Sequence, residues 1–187
     1  FLRRQYPEVD TTLRILMWGD KFLMEAGENR NYEDKGWFVE SSFFKVFPLK
    51  FVKGDPASAL TEPRTVVITE NLAKRYFANE NPIDKILLID KDSFAVKGVL
   101  EKLPGHFHLN FQYLMSLPSA GIEKSRMDRW TWHQFYTYVK LKPGSDVLGL
   151  QDKFQAHIKK EILPTLTQEG TSFLPFFQPL KDIHLKS

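Results

Sequence analysis

Read from its amino terminus, the chain switches repeatedly between the period of a strand and the period of a helix. Thr11–Trp18 alternates loosely between apolar and polar positions and is β-like, and Trp37–Val39 is a short strand candidate. The polar stretch Glu25–Lys35 between them, with Gly27, Asn29 and Asn31, reads as a loop. Ser41 and Ser42 offer an N-cap for a helical turn over Phe43–Phe47, which Pro48 limits. The clearest unit follows Pro63. Thr65–Thr69 is rich in β-branched residues and reads as a buried strand. Thr69 can then cap a helix from Glu70 to about Ala78, with Leu72, Ala73, Tyr76 and Phe77 on one face and Lys74 and Arg75 beside it. Ile86–Asp90 and Phe94–Leu100 are strand candidates joined through Lys91, Asp92 and Ser93, which predicts a hairpin.

The last third changes character. Phe111–Leu117 is a strand candidate closed by Pro118, and Ala120–Arg129 is polar and weakly patterned. Phe135–Leu141 alternates as a half-buried strand does, and Pro143-Gly144 makes a turn. Ser145 or Asp146 can cap a helix to about Ile162, with Val147, Leu150, Phe154, Ile158 and Ile162 as its apolar stripe and Pro164 as its stop. Phe173–Leu180 reads as a closing edge strand broken at Pro175 and Pro179. Strands and helices mixed with hairpins predict an α+β fold in two lobes.

Composition narrows the classes. The 187 residues are 42% hydrophobic and 26% charged, which suits a globular chain with a real core, and 16 Phe, 6 Tyr and 4 Trp argue against disorder. With no Cys there is no disulfide framework, thiolate nucleophile or Cys-based zinc site, and an oxidising compartment is comfortable. The net charge of +3 has no basic segment behind it, so no nucleic-acid partner is expected. No apolar run approaches the roughly 20 residues that span a bilayer. The start Phe1-Leu2-Arg3-Arg4 lacks an initiator Met and the apolar stretch of a signal peptide, which suggests a piece of a longer chain.

Candidate chemistry is sparse. Gly-rich phosphate loops, a Gly-x-Ser-x-Gly elbow and His-Glu-x-x-His are all missing. His106-Phe107-His108 has metal-like spacing if it lies on a strand, but a zinc site needs a third ligand, from His133, His157, His184 or a distant carboxylate. The plainer reading has one His hydrogen-bonding across the loop after Pro104-Gly105 and the other solvated. Trp130, Trp132 and His133 with Phe135, Tyr136 and Tyr138 form a dense aromatic group that could stack a ligand, yet large rings more often fill a core. The acidic pairs Asp90/Asp92 and Glu33/Asp34 read as solvated turn residues, and Lys159-Lys160 as favouring the end of the long helix. No catalytic residue, cofactor or metal is expected, which points to a binding, structural or coupling module.

Several stretches share an order with one family. They are Ser42-Phe43-Phe44-Lys45-Val46-Phe47; Lys53-Gly54-Asp55-Pro56 with Ala59-Leu60 and Pro63; and Val66 to Phe77, including Thr69, Ala73 and Tyr76. Asn81-Pro82-Ile83 with Lys85, then Val96-Lys97-Gly98-Val99, Pro104 to His108 and Thr137-Tyr138-Val139-Lys140-Leu141 follow, and Gln178 to Leu185, with Leu180, His184 and Leu185, closes the series. This order resembles the MacB-like periplasmic core domain of ABC transporter permeases, a type that includes FtsX-like and lipoprotein-exporting permeases, in the form common in Bacteroidetes. Two departures stand out. Asp84 replaces a glycine usual after Asn-Pro-Ile, and a turn with positive φ tolerates Asp better than most residues. Gly105-His106-Phe107-His108 replaces a commoner Asn-Ser-His type of sequence.

The resemblance implies a domain on the periplasmic side of the inner membrane, between two membrane helices of its permease. It implies a discontinuous porter-like lobe, residues 1–61 and 113–187, with a sabre-like lobe, 62–112, inserted. It also implies a permease homodimer, a cytoplasmic ATP-binding subunit, a periplasmic adaptor or cargo, and ATP-driven mechanotransmission that drives export or activates a partner. The domain itself would not be an enzyme. On that expectation Phe1 and Ser187 lie at one end of the fold. The alternative is a periplasmic ligand- or peptide-binding module on the same scaffold, with a cleft lined by Trp130, Trp132 and Tyr136.

Overall fold

The computed structural model of the chain describes residues 1–19, 21–105, 107–168 and 173–183. In chain order its elements are α1 (Leu2–Gln5), β1 (Val9–Leu16), β2 (Lys21–Ala26), β3 (Asn29–Asp34), β4 (Gly36–Val39), α2 (Phe43–Val46) and β5 (Phe51–Gly54). Next come β6 (Thr65–Thr69), α3 (Glu70–Phe77), β7 (Ile86–Ile89), β8 (Asp92–Leu100), β9 (Tyr113–Ser116), a 3₁₀ turn at Leu117–Ala120 and α4 (Lys124–Met127). β10 (Phe135–Leu141), α5 (Val147–His157), a π-turn at Ile158–Ile162, α6 (Leu163–Gln168) and a 3₁₀ turn at Leu180–Asp182 complete the chain. The fold is α+β.

The strands form one ten-stranded mixed sheet in the order β10-β1-β4-β9-β6-β8-β7-β2-β3, with β5 added to β8. The pairs β4–β9 and β6–β8 are parallel and the others antiparallel. β6 lies near the middle and is buried at all five positions. Its Val66 and Ile68 enter one core with Leu72, Tyr76, Phe77, Phe94, Tyr113 and Met115. Its Val67 enters a second core on the opposite face, with Phe43, Phe44, Phe47, Leu100 and Leu114. A third core joins Tyr6 and Val9 to Leu150, Phe154 and Ile158 of the long helix.

Most predicted elements are present, and the differences have physical causes. Glu25–Lys35 is a hairpin, not a loop: β2 and β3 pair through Ala26 and Asn29 around the two-residue turn Gly27-Glu28, with Gly27 at φ +58°. The β7–β8 turn falls at Asp90 and Lys91, both at positive φ (49° and 75°), rather than at Lys91–Ser93. Asp84 does sit at φ +66°. Neither Ser42 nor Thr69 makes a side-chain cap bond; Ser42 Oγ instead donates to the carbonyl of Thr12 at 2.7 Å, tying α2 to β1. Asp146 does cap α5, accepting from Gly149 N at 3.0 Å.

Pro164 does not stop the long helix. The turn before it widens to π geometry, with the Leu163 amide bonding back to the carbonyl of Ile158, and the chain continues as α6. That widening makes room for a ring that would clash with the carbonyl four residues back in a regular helix. Lys159 and Lys160 therefore lie inside the helical run, and Lys160 pairs with Glu161 at 3.0 Å. Val147 stays exposed, outside the apolar stripe. Among the described residues Phe173–Leu180 joins no sheet. Side chains of α5 bond its backbone instead: Gln151 Oε1 accepts from Phe177 N (2.9 Å) and Gln155 Nε2 donates to Pro175 O (3.1 Å).

Gly36 is needed for a close approach. A Cβ there would lie 2.1 Å from the ring of Tyr113, whose hydroxyl reaches past it to donate to the carbonyl of Glu33 at 3.1 Å. Gly36→Ala is expected to destabilise the fold by about 3 kcal/mol, because both the ring and the backbone beneath it are fixed. Urea denaturation of the two chains measures this directly.

Candidate functional site

The motif residues fall mostly on structural contacts. Phe43, Phe44 and Phe47 pack edge-on or tilted against one another, with Phe43 ring centroids 5.1 and 5.4 Å from the other two. Gly54 and Gly98 face each other across β5 and β8, where a Cβ on Gly54 would meet Lys97 O at 2.3 Å. Asp55 closes the following turn by accepting from Ala57 N (3.0 Å) and Ser58 Oγ (2.7 Å), and these bonds hold its carboxyl below the usual range. Thr69 ends β6, with its amide bonded to Gln112 O at 3.0 Å. Ala73, Tyr76 and Phe77 put α3 on the first core, as the helical spacing requires. Pro82 is buried and its carbonyl accepts from Lys85 N.

Pro104 is exposed, and its carbonyl accepts from Phe107 N at 2.9 Å. His108 rests against Phe47, Phe107 and Tyr138, with Nε2 3.1 Å from the Tyr138 hydroxyl. Burial pushes the Tyr138 hydroxyl above its ordinary pKa. Phe107 and His108 lie in no strand, so the strand placement expected for His108 does not hold. Among the described residues no three His, Asp or Glu side chains converge as a metal-binding group. Leu180 is exposed in the last 3₁₀ turn. His106, His184, Leu185 and Ser187 lie outside the described residues.

The aromatic group at 130–138 divides among the cores. Trp130 packs on the third with Phe154 and Phe173, Trp132 and Phe135 pack on the first, and Tyr138 packs on the second. Tyr136 is exposed. The cleft imagined between Trp130, Trp132 and Tyr136 is not assembled. A cavity of about 280 Å³ does open between Trp18, Phe22, Phe38, Phe94 and Met115, with Asp90 and Asp92 in its wall. Both carboxylates already hold protein partners: Asp90 accepts from Leu23 N (2.7 Å) and Asp92 from Arg64 Nη1 (2.9 Å). A second hollow of about 430 Å³ is walled by the Arg14–Glu40 pair, and there too the charges meet each other.

Two ionic contacts were not legible in the sequence. Glu33, which reads from the sequence as a solvated turn residue, is 3% exposed. Arg75 Nη1 reaches both of its carboxylate oxygens (2.5 and 2.7 Å), and the Tyr76 hydroxyl donates to Oε1 at 2.8 Å. This clamps the β2–β3 hairpin to α3. Burial, and then the neighbouring carboxylate, push the Tyr76 and Tyr113 hydroxyls well above their ordinary pKa. The hydrogen bond to Glu33 raises that of Arg75. Asp34 is half-buried and accepts from Gln112 Nε2 at 2.7 Å.

The second contact joins the start of the chain to α5, where Lys153 Nζ donates to Glu8 Oε1 at 2.7 Å. The bond from Lys153 holds the Glu8 carboxyl below its ordinary value of 4.5 and raises the Lys153 ammonium. It has the third core beneath it.

Glu33→Ala is expected to cost about 2 kcal/mol, less than a fully buried pair because Arg75 is half exposed. Glu33→Gln, which still accepts from Tyr76, should cost less, and thermal unfolding of both variants tests the order. For Glu8 the sign follows from a folded-state pKa that is depressed. Its contribution is complete above the ordinary carboxyl range and is lost as pH falls through the lowered value. The gap in melting temperature between the native chain and Glu8→Gln should therefore be present at neutral pH and close on acidification below about pH 4.

No curated protein matches the chain. Among solved structures, a domain of a protein described as a permease from Porphyromonas gingivalis superposes with a TM-score of 0.75 at 20% identity, covering 100% of this chain and 83% of that one. The periplasmic region of MacB from Actinobacillus actinomycetemcomitans gives 0.60 at 16% identity, covering 91% and 81%. The extracellular domain of the noncanonic ABC-type transporter YknZ from Gram-positive bacteria gives 0.55 at 16%, covering 90% and 81%. These likenesses are of fold. The family model described as the MacB-like periplasmic core domain matches residues 1–157, and the chain belongs to that family.

Proposed function

We propose that this domain is the coupling element of an ABC transporter permease. It would stand on the periplasmic side of the inner membrane and transmit ATP-driven movement of its membrane helices to exported cargo or to a periplasmic partner. ATP hydrolysis would belong to a cytoplasmic subunit, separate or fused, and the permease would act as a homodimer, with or without an adaptor. Family membership supports this reading. The observation that carries it furthest is the third core. Leu2, from the first helix, and Phe177, from the last described stretch, pack against the same buried cluster, which Tyr6 and Val9 form with Leu150, Phe154 and Ile158. Both ends of the described chain therefore bear on one patch, and a push delivered there would reach the rest through α5, β1 and the sheet.

The division into a porter-like lobe (1–61 and 113–187) and a sabre-like lobe (62–112) belongs to the same proposal. Both lobes share one sheet, in which β6, β8 and β7 of the 62–112 segment form a block between β9 and β2 of the other lobe. Relative movement of the lobes would then be a bending of the sheet, not the opening of a cleft. The family-motif residues would serve this role by keeping the body stiff. A ligand-binding module remains the second reading, with the Trp18–Phe94 cavity as its place.

The test uses the full-length permease with its ATPase in lipid, lacking other cysteines and spin-labelled through Leu148→Cys, an exposed position on α5. The distance between the two labels of the dimer is expected to shift by more than about 5 Å between the nucleotide-free state and an ATP-trapped, hydrolysis-deficient state, as domain motions do. An unchanged distance distribution would sink the coupling role.

A further inference from the structure

β3 is anchored through Glu33, the one buried residue of the strand, and its outer edge is regular. Asn29 Nδ2 reaches Tyr76 O (3.5 Å) and Glu33 is clamped by Arg75, so the odd-numbered residues face α3. Alternation then places Arg30, Tyr32 and Asp34 on the other face. There the Tyr32 residue and the Arg30 side chain are 71% and 65% exposed. Among the described residues β3 pairs with β2 alone and ends the strand order. It carries no bulge and no proline.

The backbone of this edge is oriented by its neighbour. Leu23, opposite Tyr32, donates its amide to Asp90 Oδ1 (2.7 Å) and accepts from Asp90 N (2.8 Å), on the β7 side. Leu23 and Tyr32 are thus the kind of antiparallel pair that exchanges no hydrogen bonds. The N–H and C=O of Tyr32, and by the same alternation those of Arg30 and Asp34, point away from the sheet. These are the groups that a further strand would bond.

We infer that this edge is a pairing surface for β3 of a second copy of the chain, antiparallel about a twofold axis through Tyr32. In that register Tyr32 lies opposite Tyr32, and Arg30 of each copy lies opposite Asp34 of the other. β2 extends the pattern, since Glu25 is paired with Arg30 and Lys21 with Asp34. Across four strands the charges then run Glu25, Arg30, Asp34 of the second copy, Lys21 of the second copy, alternating in sign twice over by symmetry. Opposite charges directly across antiparallel strands stabilise, and like charges destabilise. The same residues reject other registers. A slip of one residue puts the wrong face outward, slips of two forfeit both Arg30–Asp34 pairs, and slips of four in one direction or the other set Arg30 against Arg30 or Asp34 against Asp34.

Edge charges ordinarily prevent association; these favour pairing with a second copy in one register. A single strand edge is a small interface, so the free domain dimerises weakly. Two copies held in one membrane would meet at a high effective concentration. The pairing does not rest on the coupling role and would hold for the same fold in any setting.

The cysteine-free chain allows a direct test. Directly opposed, hydrogen-bonded residues have Cα atoms about 5.5 Å apart, within disulfide range. Under mild oxidation Tyr32→Cys is expected to form linked dimers at least tenfold faster than Arg30→Cys or Asp34→Cys, and equal rates for the three would overturn the proposal. In sedimentation, Arg30→Asp and Asp34→Arg should each weaken self-association at least tenfold, and an equimolar mixture of the two should restore it. Circular dichroism confirms that each variant is folded. Association indifferent to both charges, or no association up to about 1 mM, would equally overturn it.

Discussion

The structure depends on burying one strand on both faces. β6 runs Thr65-Val66-Val67-Ile68-Thr69 and has no solvent side, so alternate residues must serve two different cores. Each fully buried Val or Ile contributes roughly 1.5–3 kcal/mol, more than a surface ion pair supplies. β8 and β9 flank β6 and divide in the same way: Tyr113 and Met115 go to one core and Leu114 to the other. Sheet order, the seat of α3 and the position of the Phe43–Phe47 turn follow from filling those two faces.

The polar contacts are attached to this frame and carry less of its energy, but they decide geometry. Gly36 lets Tyr113 cross to the carbonyl of Glu33, and Glu33 in turn holds Arg75 and Tyr76. The hairpin that ends the sheet is thereby locked to the helix that follows its central strand. At the other end, Glu8 and Lys153 fasten the beginning of the chain to the long helix above the third core. Both ends of the sheet are thus tied to a helix by an ionic contact laid over a core.

What the sequence disclosed follows from where period and burial agree. β6, α3 and the β7–β8 hairpin were legible because their apolar positions repeat at the strand or helix period and all face a core. The β2–β3 hairpin was hidden because the inward face of β3 is polar: Asn29 and Glu33 meet Tyr76 and Arg75 rather than apolar side chains. Nothing local marks Glu33 as buried, since its partner lies 42 residues on. Pro164 signalled a stop that a π-turn cancels. Phe173–Leu180 reads as an edge strand broken by prolines, yet the carbonyl of Pro175 and the amide of Phe177 are met by glutamine side chains of α5. The motif order gave the family, because it depends on sequence rather than on three-dimensional partners.

The central claim is that the two cores on either side of β6 form one cooperative body, to which both ends of the described chain attach through the third core. Native-state hydrogen exchange resolved by residue tests it most directly. Amides of β6, β8 and β9 should exchange together, only through global unfolding, and should share one free energy and one denaturant dependence. Those of α1 and α5 should open at lower free energy as a separate unit. Exchange of β6 through local opening while either core stays protected would contradict the claim, because it would mean that the two faces of the sheet are stabilised independently.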